Sequence, residues 1–393
     1  MPRPIGRFCA LHPGEVLCTD PTKVTYAMPM QEDAPTNADS RLREMATGVE
    51  QEGKDAGIGD LVGGLAAVII STEPGRLMRA VGELLATTGY EDGEGFRDEE
   101  CLRAAVLRCP GSADMVLQAR PAPHPAFAAL NTAPRARALP STRLETLVFP
   151  VRDLEDYMAI QRKRGVRFLS PEIVTADRYR FIQTYPSRFT GNSLGFIEWE
   201  KGVRGIYRPD HAGPLELPEK PEHPHLQRIG PLDHAATRVR AGDRDPAILE
   251  FLSLTGYRFS FAVPVESQNS LTSVTRRNPE DCAMVFTSGL SPFRDEETSG
   301  PTETFIHRYG PRVHHLAFRT EEIRNTITAL ERDGLGFLDG MAGSEEEGIH
   351  QIFTRPSPHT MLVTEYLHRY GEFDGFFTEG NVTRLTAATA RQD

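Results

Sequence analysis

Apolar and polar positions along the chain follow a pattern that recurs. Segments 146–169 and 315–338 align without gaps at an offset of 169, and the alignment matches Phe149 with Phe318 and Gly165 with Gly334. Each segment predicts a short apolar strand, an amphipathic helix ended by glycine, and a second strand. Segments 65–90 and 232–257 align in the same way at an offset of 167.

Two further strand-like stretches follow each helix, so the order βαβββ is predicted four times, starting near residues 65, 144, 231 and 312. Modules 1 and 2 would form an N-terminal half, 59–207, and modules 3 and 4 a C-terminal half, 229–393. The proline-rich stretch 208–228 predicts a linker. Residues 1–58, rich in Pro, Asp, Glu and Thr, predict an arm that is either loose or packed over one half. The expected class is α+β, with paired modules making two open-barrel halves.

Composition narrows the range of functions. The chain has 393 residues, of which 44 are Lys or Arg and 55 are Asp or Glu, for a net charge of −11. This balance disfavours a nucleic-acid partner, and no apolar run is long enough to predict a membrane span. The N-terminal residues lack the apolar core of a secretory signal. The five cysteines, none in a CxxC pair, predict reduced thiols and a cytoplasmic location: Cys9, Cys18, Cys101, Cys109 and Cys282.

Candidate chemistry lies on predicted strands of the C-terminal half. His234 is on the first strand of module 3, His315 on the first strand of module 4, and Glu365 on its last strand. Two imidazoles and one carboxylate from different strands suit a site that binds Fe(II) on one face and leaves positions open. Because strand side chains alternate, His314 is expected to point to the opposite face from His315.

The repeat provides an internal comparison for this candidate metal site. The N-terminal half has Ala67 where the C-terminal half has His234, and Thr146 where it has His315; Glu198 aligns with Glu365. We therefore expect only the C-terminal half to bind a metal.

Five segments carry a resemblance to a known family: 270–274 (SLTSV), 313–318 (VHHLAF), 351–356 (QIFTRP), 364–367 (TEYL) and the Gly380-Asn381 pair. In this order, across 229–385, they resemble 4-hydroxyphenylpyruvate dioxygenase, of the vicinal-oxygen-chelate superfamily. The resemblance implies the glyoxalase/bleomycin-resistance type of fold and Fe(II) held by His234, His315 and Glu365. It also implies a 2-oxo acid that chelates the iron, reacts with O2, loses CO2 and is hydroxylated, in a homodimer or homotetramer.

The resemblance also implies a set of substrate-binding residues, and no catalytic residue beyond the metal ligands: Ser273, Ser288, Gln351, Phe353, Phe377, Asn381 and Val382. Phe377 would lie near a C-terminal helix that covers the cavity. Ser288 stands where the family has Asn, and Val382 where it has an aromatic residue. A site built to hydrogen-bond a phenol loses affinity when such partners are missing. We therefore expect an altered substrate pocket, with 4-hydroxyphenylpyruvate and a non-phenolic 2-oxo acid both open as substrates.

Two other functions fit the same superfamily. A ring-cleaving extradiol dioxygenase would need an extra acid–base histidine in the pocket, for which His350 is a candidate. A non-catalytic metabolite-binding protein would need no metal.

Overall fold

The computed structural model describes residues 39–99, 102–371, 373 and 375–391. All four predicted modules are present, each in the order βαβββ. Two helices precede module 1: α1 (Asp39–Asp55) and α2 (Ile58–Leu61). Module 1 comprises β1 (Ala67–Ser71), α3 (Leu77–Thr87), β2 (Glu91–Arg97), β3 (Arg103–Arg108) and β4 (Asp114–Ala119). After the short helix α4 (Pro125–Ala128), module 2 comprises β5 (Arg143–Pro150), α5 (Leu154–Lys163), β6 (Val174–Thr175), β7 (Tyr179–Gln183) and β8 (Ser193–Trp199).

The C-terminal half repeats this plan. The two-residue strand β9 (Gly213–Pro214) precedes module 3, which comprises β10 (Ile229–Arg238), α6 (Arg244–Leu254), β11 (Arg258–Val265), β12 (Ser270–Arg276) and β13 (Ala283–Ser288). Helix α7 (Gly300–Tyr309), which the sequence pattern did not predict, leads into module 4. Module 4 comprises β14 (Arg312–Thr320), α8 (Ile323–Arg332), β15 (Ala342–Ser344), β16 (Ile349–Phe353) and β17 (Val363–Arg369), and the helix α9 (Glu379–Ala388) follows it.

Each half is one curled mixed sheet centred on the first strands of its two modules. Strands β1 and β5 pair antiparallel, as do β10 and β14, and each also pairs in parallel with the last strand of its own module. The strand orders are β6-β7-β8-β5-β1-β4-β3-β2-β9 and β11-β12-β13-β10-β14-β17-β16-β15. The predicted fold class is therefore confirmed. Gly165 and Gly334 end helices α5 and α8 with φ of +83° and +96°, a backbone conformation that favours glycine.

Of the two alternatives for the arm, the part that the structure describes follows the second: it packs over the C-terminal half. Residues 39–55 form helix α1, which packs on α6 and buries Leu42 and Ala46. Asp39 at its first turn forms an ion pair with the buried Arg244, with 2.7 Å between Oδ1 and Nη2. The apolar face of α1 is narrow, which is why composition suggested a loose arm. Residues 1–38 lie outside the described residues.

The connection between the halves is anchored rather than free. Strand β9 pairs with β2, and the ammonium of Lys220 donates to the carbonyl oxygens of Leu85, Thr88 and Tyr90. A single apolar core also joins the halves, and helices α3, α5, α6 and α8 all contribute buried side chains to it. Two equivalent contacts cross between the halves: the Ser357 hydroxyl donates to Glu83, and the Ser187 hydroxyl donates to Glu250.

Composition predicted that the chain has no membrane span and that its cysteines are reduced. Within the described ranges, no helix is both long and apolar enough to cross a bilayer. Cys109 and Cys282 are free thiols. The other three cysteines lie outside the described residues.

Candidate metal centre

The three predicted metal ligands converge at the centre of the C-terminal sheet, on the adjacent strands β10, β14 and β17. Their ligand atoms all lie within 4.8 Å of one another. Oε2 of Glu365 is 3.1 Å from Nε2 of His234 and 3.3 Å from Nε2 of His315. The His234 and Glu365 side chains are buried, and that of His315 is 12% exposed.

Two β-bulges orient the histidines. The β10–β14 register shifts once at Asp233, between the pairs Leu232–Phe318 and His234–Ala317, and again at His314. Each bulge residue contacts Nδ1 of the histidine that follows it. Oδ1 of Asp233 accepts a 2.9 Å hydrogen bond from His234, and Nδ1 of His314 is 2.9 Å from Nδ1 of His315. Both Nε2 atoms are thereby left facing Glu365, the arrangement typical of metal-binding histidines.

His314 is thus placed differently from the sequence prediction. It lines the same cavity as His315, because the bulge inserts one residue into β14 and interrupts the alternation of side chains.

Asp233 is a buried carboxylate that sequence reasoning missed. Arg369 donates to both of its oxygens, at 2.6 and 3.1 Å, and Arg319 donates to Oδ2 at 3.1 Å. Burial alone raises the pKa of Asp233, but its hydrogen bonds to His234 and Arg369 hold that pKa well below the usual range. Asp233 is therefore an ionised anchor for the His234 ring.

The electrostatics of the two histidines differ. Burial lowers the pKa of His234, but the charges of Glu365 and Asp233 outweigh this effect and raise it to about 9. Burial lowers the pKa of His315 well below its usual value, and the neighbouring His314, His234 and Arg238 lower it further.

The second oxygen of Glu365 is held by a relay of amides. Nε2 of Gln351 donates to Oε1 of Glu365 at 2.6 Å, and Nδ2 of Asn381 donates to Oε1 of Gln351 at 2.9 Å. Asn381 lies in the first turn of α9, where its backbone N–H donates to the capping hydroxyl of Thr378. Helix α9, which covers the cavity, is therefore linked to the candidate metal ligand Glu365 through Gln351.

The side chains present fit a metal ion. Nε2 of His234 is fully buried, and although Oε2 of Glu365 lies 3.1 Å away, the two atoms form no well-aligned hydrogen bond. Burying such a ring nitrogen is costly unless a metal or another partner satisfies it. Two imidazoles and one carboxylate on one face of a cavity match the ligand set of non-haem Fe(II) sites.

A small cavity of about 50 Å³ lies between this face of the sheet and α9. Of the residues predicted to bind substrate, Phe353, Phe377 and Val382 line it, beside His315 and Glu365. Gln351 and Asn381 do not line it and lie instead behind Glu365.

The placement of Ser273 and Ser288 in the substrate pocket is wrong. The Ser273 hydroxyl accepts a 2.8 Å hydrogen bond from Nε of Arg244 on α6, on the opposite face of β12. Ser288 is likewise buried on the helix side of β13. Since side chains alternate along a strand, their neighbours Thr272 and Thr287 line the cavity instead.

Sequence reasoning also missed several other cavity residues, above all Arg238. A signal was available, because Arg238 lies four residues after His234 on the same strand, and period two places both on one face. The other missed residues share a hydroxyl group and line the cavity wall: Thr302, Thr386 and Thr389.

Within its described residues, the N-terminal half has none of these ligands at the equivalent positions. In the N-terminal half, Ala67 pairs with Val148 and Ile69 pairs with Thr146. In the C-terminal half, His234 pairs with Ala317 and Ala236 pairs with His315. Ala67 is therefore at the position of His234, and Thr146 is at the position of His315. The predicted match of Glu198 with Glu365 is wrong. In the C-terminal half Glu365 pairs with Ala317, whose equivalent in the N-terminal half is Val148. The residue that pairs with Val148 is Gly195, so Gly195 is the equivalent of Glu365. A Cβ at Gly195 would lie 2.8 Å from the Phe181 ring, which fills the space that Glu365 uses in the other half.

No protein-family model and no curated protein matches this chain. Among solved structures, a triple mutant of 4-hydroxymandelate synthase from Streptomyces coelicolor is similar, with a TM-score of 0.62 and 18% identity, over 84% of this chain and 99% of that one. A xylose isomerase-like TIM barrel/4-hydroxyphenylpyruvate dioxygenase fusion protein is similar with a TM-score of 0.59 and 15% identity, over 92% of this chain and 60% of that one. The chain therefore has the vicinal-oxygen-chelate fold, and the resemblance drawn from the sequence holds for the fold.

Proposed function

We propose that the protein is a non-haem Fe(II) dioxygenase that decarboxylates a 2-oxo acid and hydroxylates the same molecule. The observation that carries the proposal is the convergence of His234, His315 and Glu365 beside a cavity in one half, with no equivalent set among the described residues of the other half. Residues that only maintain the fold would be expected in both halves, because the two halves have the same fold. Two solved structures with this fold are named for related chemistry, 4-hydroxymandelate synthase and a 4-hydroxyphenylpyruvate dioxygenase fusion.

A bound Fe(II) would accept the carboxylate and keto oxygens of the substrate and activate O2 at its open positions. The chain's own residues have three tasks. Asp233 and Gln351 fix the orientation of His234 and Glu365. Phe353 and Phe377 line the cavity and exclude water from the reacting atoms. Val382 and Leu385 of α9 complete an apolar cover.

Substrate entry requires α9 to move. Ligand sites usually enclose about 300 Å³ or more, whereas this cavity measures about 50 Å³. Three hydrogen bonds hold the helix in place: Asn381 donates to Gln351 and to the Ile349 carbonyl, and Arg238 donates to the Thr389 hydroxyl. They must break, or shift with the helix, before a 2-oxo acid can reach Glu365.

Anaerobic titration tests this function directly. Protein reconstituted with Fe(II) should develop a weak visible charge-transfer band with a 2-oxo acid, and should then consume O2 and release CO2. The variant His315→Ala should lose the band, whereas the matched variant His223→Ala, in an exposed group with His225 and Asp333, should keep it. The proposal fails if no 2-oxo acid gives a band and His315→Ala still binds iron.

Ring cleavage remains a second candidate because of one observation. His350, the expected acid–base histidine, bonds Arg324 and Tyr370 and lies next to Gln351 on β16, on the opposite face. His314, however, lines the cavity beside His315 and is not one of the three proposed ligands, as acid–base catalysis of ring opening would need. A yellow product from catechols, lost in His314→Phe, would favour this reaction. Metal-free protein after gentle purification, with no iron uptake, would favour a binding protein.

A further inference from the structure

Arg238 is a buried cation at the end of the cavity away from His234. Its side chain lines the cavity together with His315 and Glu365, and the residue is only 5% exposed. Its hydrogen bonds go to neutral groups, the Pro301 carbonyl at 3.3 Å and the Thr389 hydroxyl at 2.9 Å. Its guanidinium also lies 4.6 Å from the centre of the Phe305 ring.

No carboxylate among the described residues forms an ion pair with Arg238. A buried charge without a counter-ion is destabilising, so an arginine in such a place is normally paired. Burial lowers the pKa of Arg238 to about 9, which leaves the guanidinium protonated at neutral pH. The cavity therefore contains one positive charge that no carboxylate of the described ranges neutralises.

In the N-terminal half, a carboxylate neutralises an arginine near the equivalent position. There the bulge in β5 falls at Glu145, the position equivalent to His314. Arg120 donates to both oxygens of the Glu145 carboxylate, at 2.9 and 2.8 Å. In the C-terminal half the bulge residue is a histidine, so the carboxylate that neutralises an arginine in one half has no equivalent beside Arg238 in the other.

The geometry gives the cavity two different ends. His234, Ala236 and Arg238 lie on one face of β10, so the Cα atoms of His234 and Arg238 are about 13 Å apart along the strand. The small side chain of Ala236 between them leaves the cavity open. The proposed metal ligands lie at one end, and the guanidinium lies at the other. Hydroxyl groups line the wall as well: Thr272, Thr287, Thr302, Thr386 and Thr389.

We propose that Arg238 binds an anionic group at the far end of the substrate, which is therefore a 2-oxo acid with a second acidic group, such as a distal carboxylate. The inference rests on the proposed function, because the 2-oxo acid end is assigned to the metal. A carboxylate offers a guanidinium two charged acceptors, whereas a phenol offers one neutral oxygen. The second anion supplies the missing counter-ion and replaces the bonds of Arg238 to Pro301 and Thr389 as α9 moves.

Matched pairs of 2-oxo acids test the inference in the Fe(II)-loaded protein. The probes are 2-oxohexanoate against 2-oxohexanedioate, and phenylpyruvate against its 4-hydroxy and 4-carboxy derivatives. Dissociation constants come from the charge-transfer band under anaerobic conditions, so turnover is not required. In each series we expect the acid with the second carboxylate to bind about tenfold tighter or more, the range for hydrogen bonds to charged groups.

Two variants complete the test. Arg238→Met should remove the preference, so that 2-oxohexanoate and 2-oxohexanedioate bind with similar dissociation constants, and Arg238→Lys should keep part of the preference. Equal binding within each wild-type pair, or a preference that survives in Arg238→Met, would overturn the inference and leave the proposed function standing. If no 2-oxo acid gives a band, the proposed function itself fails. Should Arg238→Met not fold, the wild-type ratios alone decide.

Discussion

The amide of Gln351 donates a 2.6 Å hydrogen bond to one oxygen of the Glu365 carboxylate, and the other oxygen of that carboxylate faces His234 and His315. The bond fixes which oxygen is presented to a metal. Because Gln351 also accepts from Asn381, the position of α9 and the orientation of Glu365 are coupled.

The first prediction concerns this bond. Gln351→Ala should weaken Fe(II) binding about 10- to 100-fold, because the carboxylate loses the partner that orients it. Anaerobic competition with a chromophoric chelator measures the change. The control is His350→Ala, at the adjacent position on the other face of β16, which should leave iron affinity unaltered. Equal effects of the two variants would rule out a specific role for the amide.

The second prediction concerns Asp233. Asp233→Asn removes the charge that two arginines and His234 share, and it leaves Arg369 facing a neutral amide. Breaking a buried ion pair in this way costs about 3 to 5 kcal/mol, so the free energy of unfolding should fall by that order and iron affinity should fall with it. Denaturant unfolding of the metal-free protein separates the two effects. Asp281→Asn, in a surface ion pair with Arg277, should change either quantity little.

The third prediction concerns pH. Burial raises the pKa of Glu250 from 4.5 to about 7, although the Ser187 hydroxyl and Arg188 act in the opposite direction. Between these two values the folded protein holds a proton that the unfolded chain has released. This contribution to the free energy of unfolding is therefore full at low pH and is lost as the pH rises towards 7, by about 3 kcal/mol.

Glu250→Gln should abolish that part of the pH dependence, because glutamine accepts the same hydrogen bond from Ser187 and does not titrate. Denaturant unfolding at pH 5, 6 and 7.5 measures it. Glu219→Gln, at an exposed carboxylate, should retain the wild-type slope. An unchanged slope in E250Q would assign the pH dependence to other groups.

The fourth prediction compares two adjacent residues on opposite faces of β12. Thr272→Val should alter the affinity for 2-oxo acids several-fold and change stability little, because Thr272 lines the cavity. Ser273→Ala should leave that affinity unaltered and lower the free energy of unfolding by about 1 to 3 kcal/mol, because the buried Arg244 loses an acceptor. Charge-transfer titration and denaturant unfolding distinguish the two. The reverse result would place Ser273 in the pocket after all.

Much of the architecture is readable from the chain. The fourfold βαβββ order follows from apolar periodicity and from glycines such as Gly165 and Gly334, which act within a few residues of their own position. The loss of histidine at Ala67 and Thr146 could also be read from the repeat, because the aligned segments contain no gaps. Local pattern and repetition together therefore predicted the fold class and placed His234, His315 and Glu365 on different strands of one half. The structure shows that these three strands are adjacent.

The tertiary structure decided which side chains face the cavity. Bulges at Asp233 and His314 each insert one residue into a strand. Such an insertion changes the face to which a neighbouring side chain points, and the hydrophobic pattern of the sequence does not reveal it. The same one-residue sensitivity put Thr272 rather than Ser273 in the cavity. A three-residue shift of the alignment put Gly195 rather than Glu198 opposite Val148. That no carboxylate among the described residues pairs with Arg238 depends on contacts among distant segments, and only the assembled sheet, α7 and α9 show it.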